Sequence, residues 1–339
     1  MHHGRRDFVQ GCTWMAAAGM AGLSILASGC ATVTGGSTGK KAWSSFRAKD
    51  GAEIHYREWQ KAATPRLAVQ IIHGAAEHSG RYDRFAEALV NEGYAVYASD
   101  HRGHGRTRVR SGQLGDAGPD AWNRFVDDEI TLSHIIRQQH PQAKLVLFGH
   151  SMGSFIAQDY ITRTSQLDGL ILSGTAYSPA PPPELLTALH AATRAAPLEP
   201  SQFWAGLFTD FNKPFTGKPG FEWLSRDPAE VQKYQQDPQA GFSFSNELVS
   251  DFFQGMAALR DPAREARIPK ALPVLVIQGA LDPVGANLQS TQVLLDRYKA
   301  LGMSRLDHRF YDGARHELLN ETNRQEVQRD VLDWLKGIA

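Results

Sequence analysis

Leu145-Val146-Leu147-Phe148-Gly149-His150-Ser151-Met152-Gly153 runs four apolar residues straight into G-x-S-x-G, and a helix-like stretch, residues 154–164, follows. A buried strand, a tight turn and a helix in that order are the setting in which G-x-S-x-G forms a nucleophile elbow. An ordinary glycine-rich turn can carry the same five letters, and it is the setting that separates the two. Gly149 and Gly153 are needed because a Cβ at either position would collide with the neighbouring strand and helix. The turn leaves the Ser151 hydroxyl exposed at a helix N-terminus, whose dipole favours developing negative charge.

Working outward, a serine hydroxyl needs a base, and the base needs an orienting acid. On a strand–elbow–helix scaffold these follow the serine in the order acid, then histidine. The acid candidate is Asp282. It follows the apolar run Pro273-Val274-Leu275-Val276-Ile277 and the loop Gln278-Gly279-Ala280-Leu281. The base candidate is His316, in Tyr311-Asp312-Gly313-Ala314-Arg315-His316-Glu317, after the last expected strand. There are 13 histidines, so chain order and loop placement single this one out. Asp312 and Glu317 are rival acids that read as structural. Two backbone amides are expected to hold an oxyanion, that of Met152, after the nucleophile, and that of Ala75, after the strand Leu67-Ala68-Val69-Gln70-Ile71-Ile72. Glu77 and His150 are candidates for contacting substrate. Glu77 and Arg81, four apart, can instead pair with each other.

Strand-like and helix-like segments alternate along most of the chain. Residues 44–48 and 54–59 read as a hairpin around Asp50-Gly51. Strands are expected at residues 67–72, 94–99, 145–148, 170–172, 274–277 and 306–311, and helices at 82–92, 119–139, 287–300 and 325–338. This implies an α/β fold with a mostly parallel central sheet and helices on both faces. Residues 44–176 form the first part of the core and 269–339 the second. Residues 177–268 break the alternation, opening with Ser178-Pro179-Ala180-Pro181-Pro182-Pro183 and holding 13 of the 32 aromatic residues. They read as an inserted cap. Its rings are divided between lining an acyl tunnel or a membrane-facing lid and forming the insertion's own small core.

Lys plus Arg and Asp plus Glu number 36 each, for zero formal net charge. No basic field would draw nucleic acid. The glycine-rich segments lie at strand ends and none has the phosphate-loop spacing, so no nucleotide or other cofactor is expected, and no metal. Both cysteines lie in the first 30 residues. Arg5-Arg6-Asp7-Phe8-Val9 resembles a twin-arginine export motif, residues 14–27 are a short apolar stretch, and Leu26-Ala27-Ser28-Gly29-Cys30 resembles a bacterial lipobox. Residues 1–29 are thus expected to be a signal peptide, Cys30 the lipid-attachment site, and residues 30–43, rich in Gly, Ser and Thr, a tether. That implies a protein of the bacterial envelope held at a membrane by its N-terminal lipid. A soluble secreted form and an uncleaved anchor are the alternatives.

The motifs also reach a family. His73-Gly74-Ala75-Ala76-Glu77-His78-Ser79-Gly80-Arg81-Tyr82 resembles the oxyanion-loop signature of monoacylglycerol lipases. Asp100-His101-Arg102-Gly103-His104-Gly105-Arg106-Thr107 resembles their next loop, and Gly149 to Gly153 their elbow. Gln278 to Asp282 and Tyr311 to His316 are similar to their acid and base segments. The resemblance spans roughly residues 44–339 apart from the middle, and points to the monoacylglycerol lipase and lysophospholipase-like group of α/β-hydrolases. It implies a serine hydrolase of carboxylic esters, lipid monoesters first, using Ser151, Asp282 and His316 without a cofactor. A small-ester carboxylesterase, or an amidase or peptidase, would use the same residues. A non-catalytic envelope binding protein would not require all three. Ser154 replaces a glycine frequent in the family, and Thr107 a usual serine.

Overall fold

The computed structural model describes residues 40–216 and 220–339. The expectations for residues 1–39, Cys30 among them, lie outside the described residues. Strands β1 (Lys40–Arg47) and β2 (Glu53–Gln60) form the opening hairpin, with Lys40 opposite Gln60 and Arg47 opposite Glu53. Residues 40–43, expected at the end of the tether, are therefore strand. Their backbone pairs with β2, and the Trp43 ring is covered by the guanidinium groups of Arg57 and Arg106 at 4.9 and 4.2 Å, cation–π contacts that the composition of the segment concealed.

Six further strands complete one sheet: β3 (Leu67–Ile72), β4 (Ala95–Ser99), β5 (Lys144–His150), β6 (Gly169–Ser173), β7 (Val274–Gly279) and β8 (Leu306–Tyr311). Their order is β1-β2-β4-β3-β5-β6-β7-β8; β2 joins β4 antiparallel, and every pairing from β4 to β8 is parallel. The central strands are apolar on both sides because both faces are covered. Side chains alternate along each strand. Leu147, Leu170, Leu172, Val274 and Val276 pack on one side with α2 (Ala121–Gln139), α3 (Met152–Arg163) and α9 (Gln289–Ala300). Val146, Phe148, Ile171, Leu275 and Ile277 pack on the other with α1 (Asp83–Asn91) and α10 (Arg324–Lys336).

Between β6 and β7 the described residues are helical: α4 (Pro183–Ala195), α5 (Gln202–Thr216), α6 (Pro228–Gln236), α7 (Asn246–Ala258) and the short α8 (Pro262–Glu265). Proline stands in the first turn of α4, α6 and α8, where no amide hydrogen is needed. α7 lies against α2. Gly255 permits it, since a Cβ there would come within 2.0 Å of the Trp122 ring. The aromatic rings fall into two sets. Trp204 stacks flat on Phe244 at 4.2 Å inside the segment, while Phe208, Phe211, Trp223, Phe252 and Phe253 face a cavity above the sheet.

Candidate active site

β5 ends in the elbow. Ser151 has φ 52° and ψ −122°, a conformation that side chains with a Cβ rarely adopt. Its N–H is fixed to Ser173 O of the adjacent strand at 2.9 Å. A Cβ on Gly149 would lie 2.6 Å from Gly153 O, and one on Gly153 2.1 Å from Ile72 O, so both glycines are required by close approach. Ser154, the departure from the family pattern, fits here. Its hydroxyl donates to Ser151 O at 2.6 Å and accepts from the Thr175 hydroxyl at 2.9 Å, bracing the turn that holds the serine.

The loops after β7 and β8 bring Asp282 and His316 together. His316 Nδ1 lies 2.8 Å from Asp282 Oδ2, both groups buried. Asp282 also accepts Gln278 Nε2–H at 2.6 Å and Val284 N–H at 2.9 Å. Its acceptor positions are thus filled by donors, and the remaining donor, His316 Nδ1–H, fixes the imidazole tautomer. That leaves the lone pair on His316 Nε2, which is buried without a hydrogen-bond partner. The Ser151 hydroxyl and His316 Nε2 are thus not hydrogen-bonded to each other. Gly174, at φ +60°, leaves room for the ring, since a Cβ there would be 2.8 Å from His316 Cε1. Of the rival acids, Asp312 is exposed and Glu317 is bound to Arg81.

The oxyanion loop leaves β3 through Gly74, where a Cβ would lie 2.8 Å from Glu77 Oε1 and 3.1 Å from Ser151 Cβ. Met152 begins α3, so its amide has no carbonyl four residues back within the helix. Ala75, Met152 and Ser151 all line one cavity of about 310 Å³, walled by Phe155, Tyr177 and rings of the inserted helices. The loop is locked from behind. His73 Nε2 accepts His101 N–H at 3.0 Å, and its Nδ1–H meets Gly74 O at 2.8 Å. His104 Nε2 accepts Ala76 N–H at 3.2 Å. Burial holds His104 neutral, its pKa lowered to about 4.

Glu77 and His150, the candidates for contacting substrate, are not among the residues lining that cavity; they line a small pocket with Arg81 and Glu317. Both Glu77 oxygens are engaged by the scaffold: Oε1 accepts Gly74 N–H at 2.5 Å and the Tyr82 hydroxyl at 2.8 Å, and Oε2 accepts Arg81 Nη1–H at 2.8 Å. The alternative reading, a Glu77–Arg81 pair, describes the contact. His150 packs its ring 4.8 Å from that of His316, and burial lowers its pKa to about 4.

Two neighbours of the site escaped the sequence. Gln278 was read only as part of a loop, yet its amide donates to Asp282 and accepts Thr175 N–H at 2.8 Å. Trp223, noted only as one aromatic among many, lies over His316 at 4.8 Å, and its carbonyl accepts His316 N–H at 3.3 Å. The clue for Gln278 was its place at the end of β7, four residues before the acid. For Trp223, 93 residues before the histidine, there was none.

A parallel sheet carrying a strained serine at the end of β5, with a buried Asp–His pair on the loops of later strands, defines an α/β-hydrolase. The chain belongs to the serine aminopeptidase, S33 family (Hydrolase_4), whose model matches residues 63–323. It is similar to the monoacylglycerol lipase of Mycolicibacterium smegmatis, 29% identical over 86% of this chain and 95% of that one. Among solved structures it resembles a thermostable carboxyl esterase from Bacillus coagulans in complex with glycerol, at 29% identity, covering 88% of this chain and 98% of that one with a TM-score of 0.79. It also resembles a lipase in an open form, at 30% identity, 88% and 99% coverage and a TM-score of 0.79. The protein is an enzyme, a carboxylic ester hydrolase of the esterase and lipase kind.

Proposed function

We propose that the protein cleaves lipid monoesters through an acyl-enzyme on Ser151. The observation that carries this reading is the opening of Ser151, Ala75 and Met152 into one aromatic-walled cavity of about 310 Å³. An acyl chain matches such walls, and the ester carbonyl then falls between the serine and the two amides. Ser151 Oγ attacks the carbonyl carbon while His316 Nε2 takes its proton. The oxyanion rests on the N–H groups of Ala75 and Met152. Asp282 holds the imidazole tautomer and stabilises the imidazolium, which passes the proton to the departing alcohol. Water, losing a proton to His316, releases the acid. The named activities of the mycobacterial relative and the Bacillus esterase support the ester class.

The test is a panel of monoacylglycerols, lysophospholipids, p-nitrophenyl esters and aminoacyl p-nitroanilides, run beside fluorophosphonate labelling of Ser151. Turnover of monoacyl lipids with labelling of Ser151 is expected. Preference for the anilides would establish a peptidase instead, and an unlabelled, inactive protein would establish a binding role. We propose further that the enzyme is exported and acylated at Cys30, as Arg5-Arg6 and Leu26-Ala27-Ser28-Gly29-Cys30 suggest. A mature N-terminus at Cys30 carrying acyl chains is the expected mass spectrum; an unmodified N-terminus beyond Cys30 would exclude the anchor.

A further inference from the structure

The oxyanion amide of Ala75 and the base nitrogen of His316 belong to loops after β3 and β8, strands separated in the sheet by β5, β6 and β7. The reaction needs them at one fixed separation. The guanidinium of Arg81 joins the two loops. Arg81 Nη1 donates to Glu77 Oε2 at 2.8 Å and to Glu317 Oε1 at 2.5 Å, and Nη2 donates to Glu317 Oε2 at 2.7 Å. On one side, Glu77 Oε1 grips Gly74 N–H, the residue before Ala75. On the other, Glu317 directly follows His316 and accepts a further bond from Asn320 at 2.9 Å. The ring of Tyr234 from α6 covers the guanidinium at 4.7 Å, and the Tyr234 hydroxyl donates to Ala76 O at 3.0 Å.

We infer that Arg81 is a positioning residue for the hydrolysis, a buried strut running Gly74–Glu77–Arg81–Glu317–His316 that sets the distance between the oxyanion donors and the base. The inference rests on the proposed roles of Ala75 and His316. Two buried carboxylates share one largely buried cation, its side chain 10% exposed. A bidentate fork fixes direction as well as distance, which a point charge would not. Without the cation, Glu77 and Glu317 repel across a short gap, and the loops they hold separate. The substrate cavity is not lined by Arg81, so substrate binding is left largely intact while the reacting groups are misplaced.

The experiment compares wild type, Arg81→Met, Glu317→Gln and the double variant. It measures kcat and KM on p-nitrophenyl octanoate, the rate of fluorophosphonate labelling at Ser151, and the melting temperature. Arg81→Met is expected to lower kcat about 10²-fold, the penalty for displacing reacting groups by roughly 1 Å, with KM changed by less than about threefold. Labelling slows in proportion, because the probe uses the same base and oxyanion hole. Adding Glu317→Gln removes the repulsion and is expected to restore roughly tenfold of the loss, which a general loss of stability would not do. Unchanged kcat in Arg81→Met, a rise in KM alone, or a double variant no better than the single would each overturn the inference. Should Arg81→Met fail to fold, Glu317→Gln decides. It cuts the strut at the base loop, and a roughly tenfold lower kcat at constant KM is expected, unchanged kcat being the overturning result. A wild type that neither turns over the ester nor labels would overturn the ester-hydrolase reading itself, whatever the variants do.

Discussion

At the scale of the residue, the Asp282–His316 contact and its support make separate predictions. Asp282→Asn keeps the shape but presents an amide N–H or a weaker acceptor to Nδ1, so the imidazole loses its tautomer. Turnover is expected to fall about 10⁴-fold. Asp312, exposed on its turn, is the control: Asp312→Asn is expected to stay near wild-type activity, and the opposite pattern would reassign the acid. Gln278→Leu removes the donor to Asp282 and strands the Thr175 amide. Leaving that buried group unpaired is expected to destabilise the fold by about 1–3 kcal/mol, read from urea unfolding, with a lower kcat from a looser Asp282. Ser151, Asp282, His316, Ala75 and Met152, the residues of the proposed mechanism, were each singled out by a local signal, a glycine turn or the end of an apolar run. Gln278 was signalled only by its place four residues before the acid, and its role depends on the direction its amide faces.

At the scale of the element, the strands and core helices fall within a few residues of where periodicity put them; β3 and β8 agree at both ends, at Leu67–Ile72 and Leu306–Tyr311. A run buried along its whole length is enough for β3, while β8, an edge strand with Asp307, His308 and Arg309 exposed, is marked by the Gly302 and Asp312-Gly313 turns around it. The helices between β6 and β7 were not assigned, because their apolar residues face the core helices, one another and a cavity at once, and no single period survives. Trp204 and Phe208 of α5 line both the cavity at Ser151 and a second of about 390 Å³ beside it, with Phe221 and Phe242. Phe208→Ala is expected to thin that wall and let longer acyl chains pass. In wild type kcat/KM should rise with acyl length by up to about 0.8 kcal/mol per buried methylene until the first cavity fills. In the variant the rise should continue to longer chains, as assays with C4 to C18 esters would show; an unchanged optimum would mean that Phe208 is not the limit.

For the whole molecule, buried histidines set the response to acid. Burial lowers the pKa of His73 well below its ordinary value, and those of His101, His104 and His150 to about 3, 4 and 4. The unfolded chain protonates its histidines near pH 6.5, while these four stay neutral in the fold. Between about pH 6.5 and pH 4 the unfolded state therefore binds more protons, and each such group withdraws about 1.4 kcal/mol per pH unit as pH falls. Glu129 acts oppositely. Burial raises its pKa to about 7, so its contribution is fully present below about pH 4.5 and lost as pH rises through 7. One group against four leaves a protein that loses stability on acidification. A lower urea midpoint at pH 5.0 than at pH 7.5 is expected, and Glu129→Gln should steepen the difference; an equal or higher midpoint at pH 5.0 would contradict this.

The sequence by itself determined the elbow, the order of serine, acid and histidine, and the parallel sheet beneath them. Each depends on neighbours within a few positions, where glycine geometry and the two-residue alternation of a strand leave few solutions. Only the tertiary structure decided what Glu77, His150, Arg81, Glu317 and Trp223 do. Arg81 and Glu317 lie 236 positions apart in the chain. Glu77 is a binding candidate or a scaffold carboxylate according to whether a cation stands beside it, and that cation meets Glu317 only once β8 has closed the sheet. A charge has its meaning from what surrounds it when water is gone, and that is settled by packing.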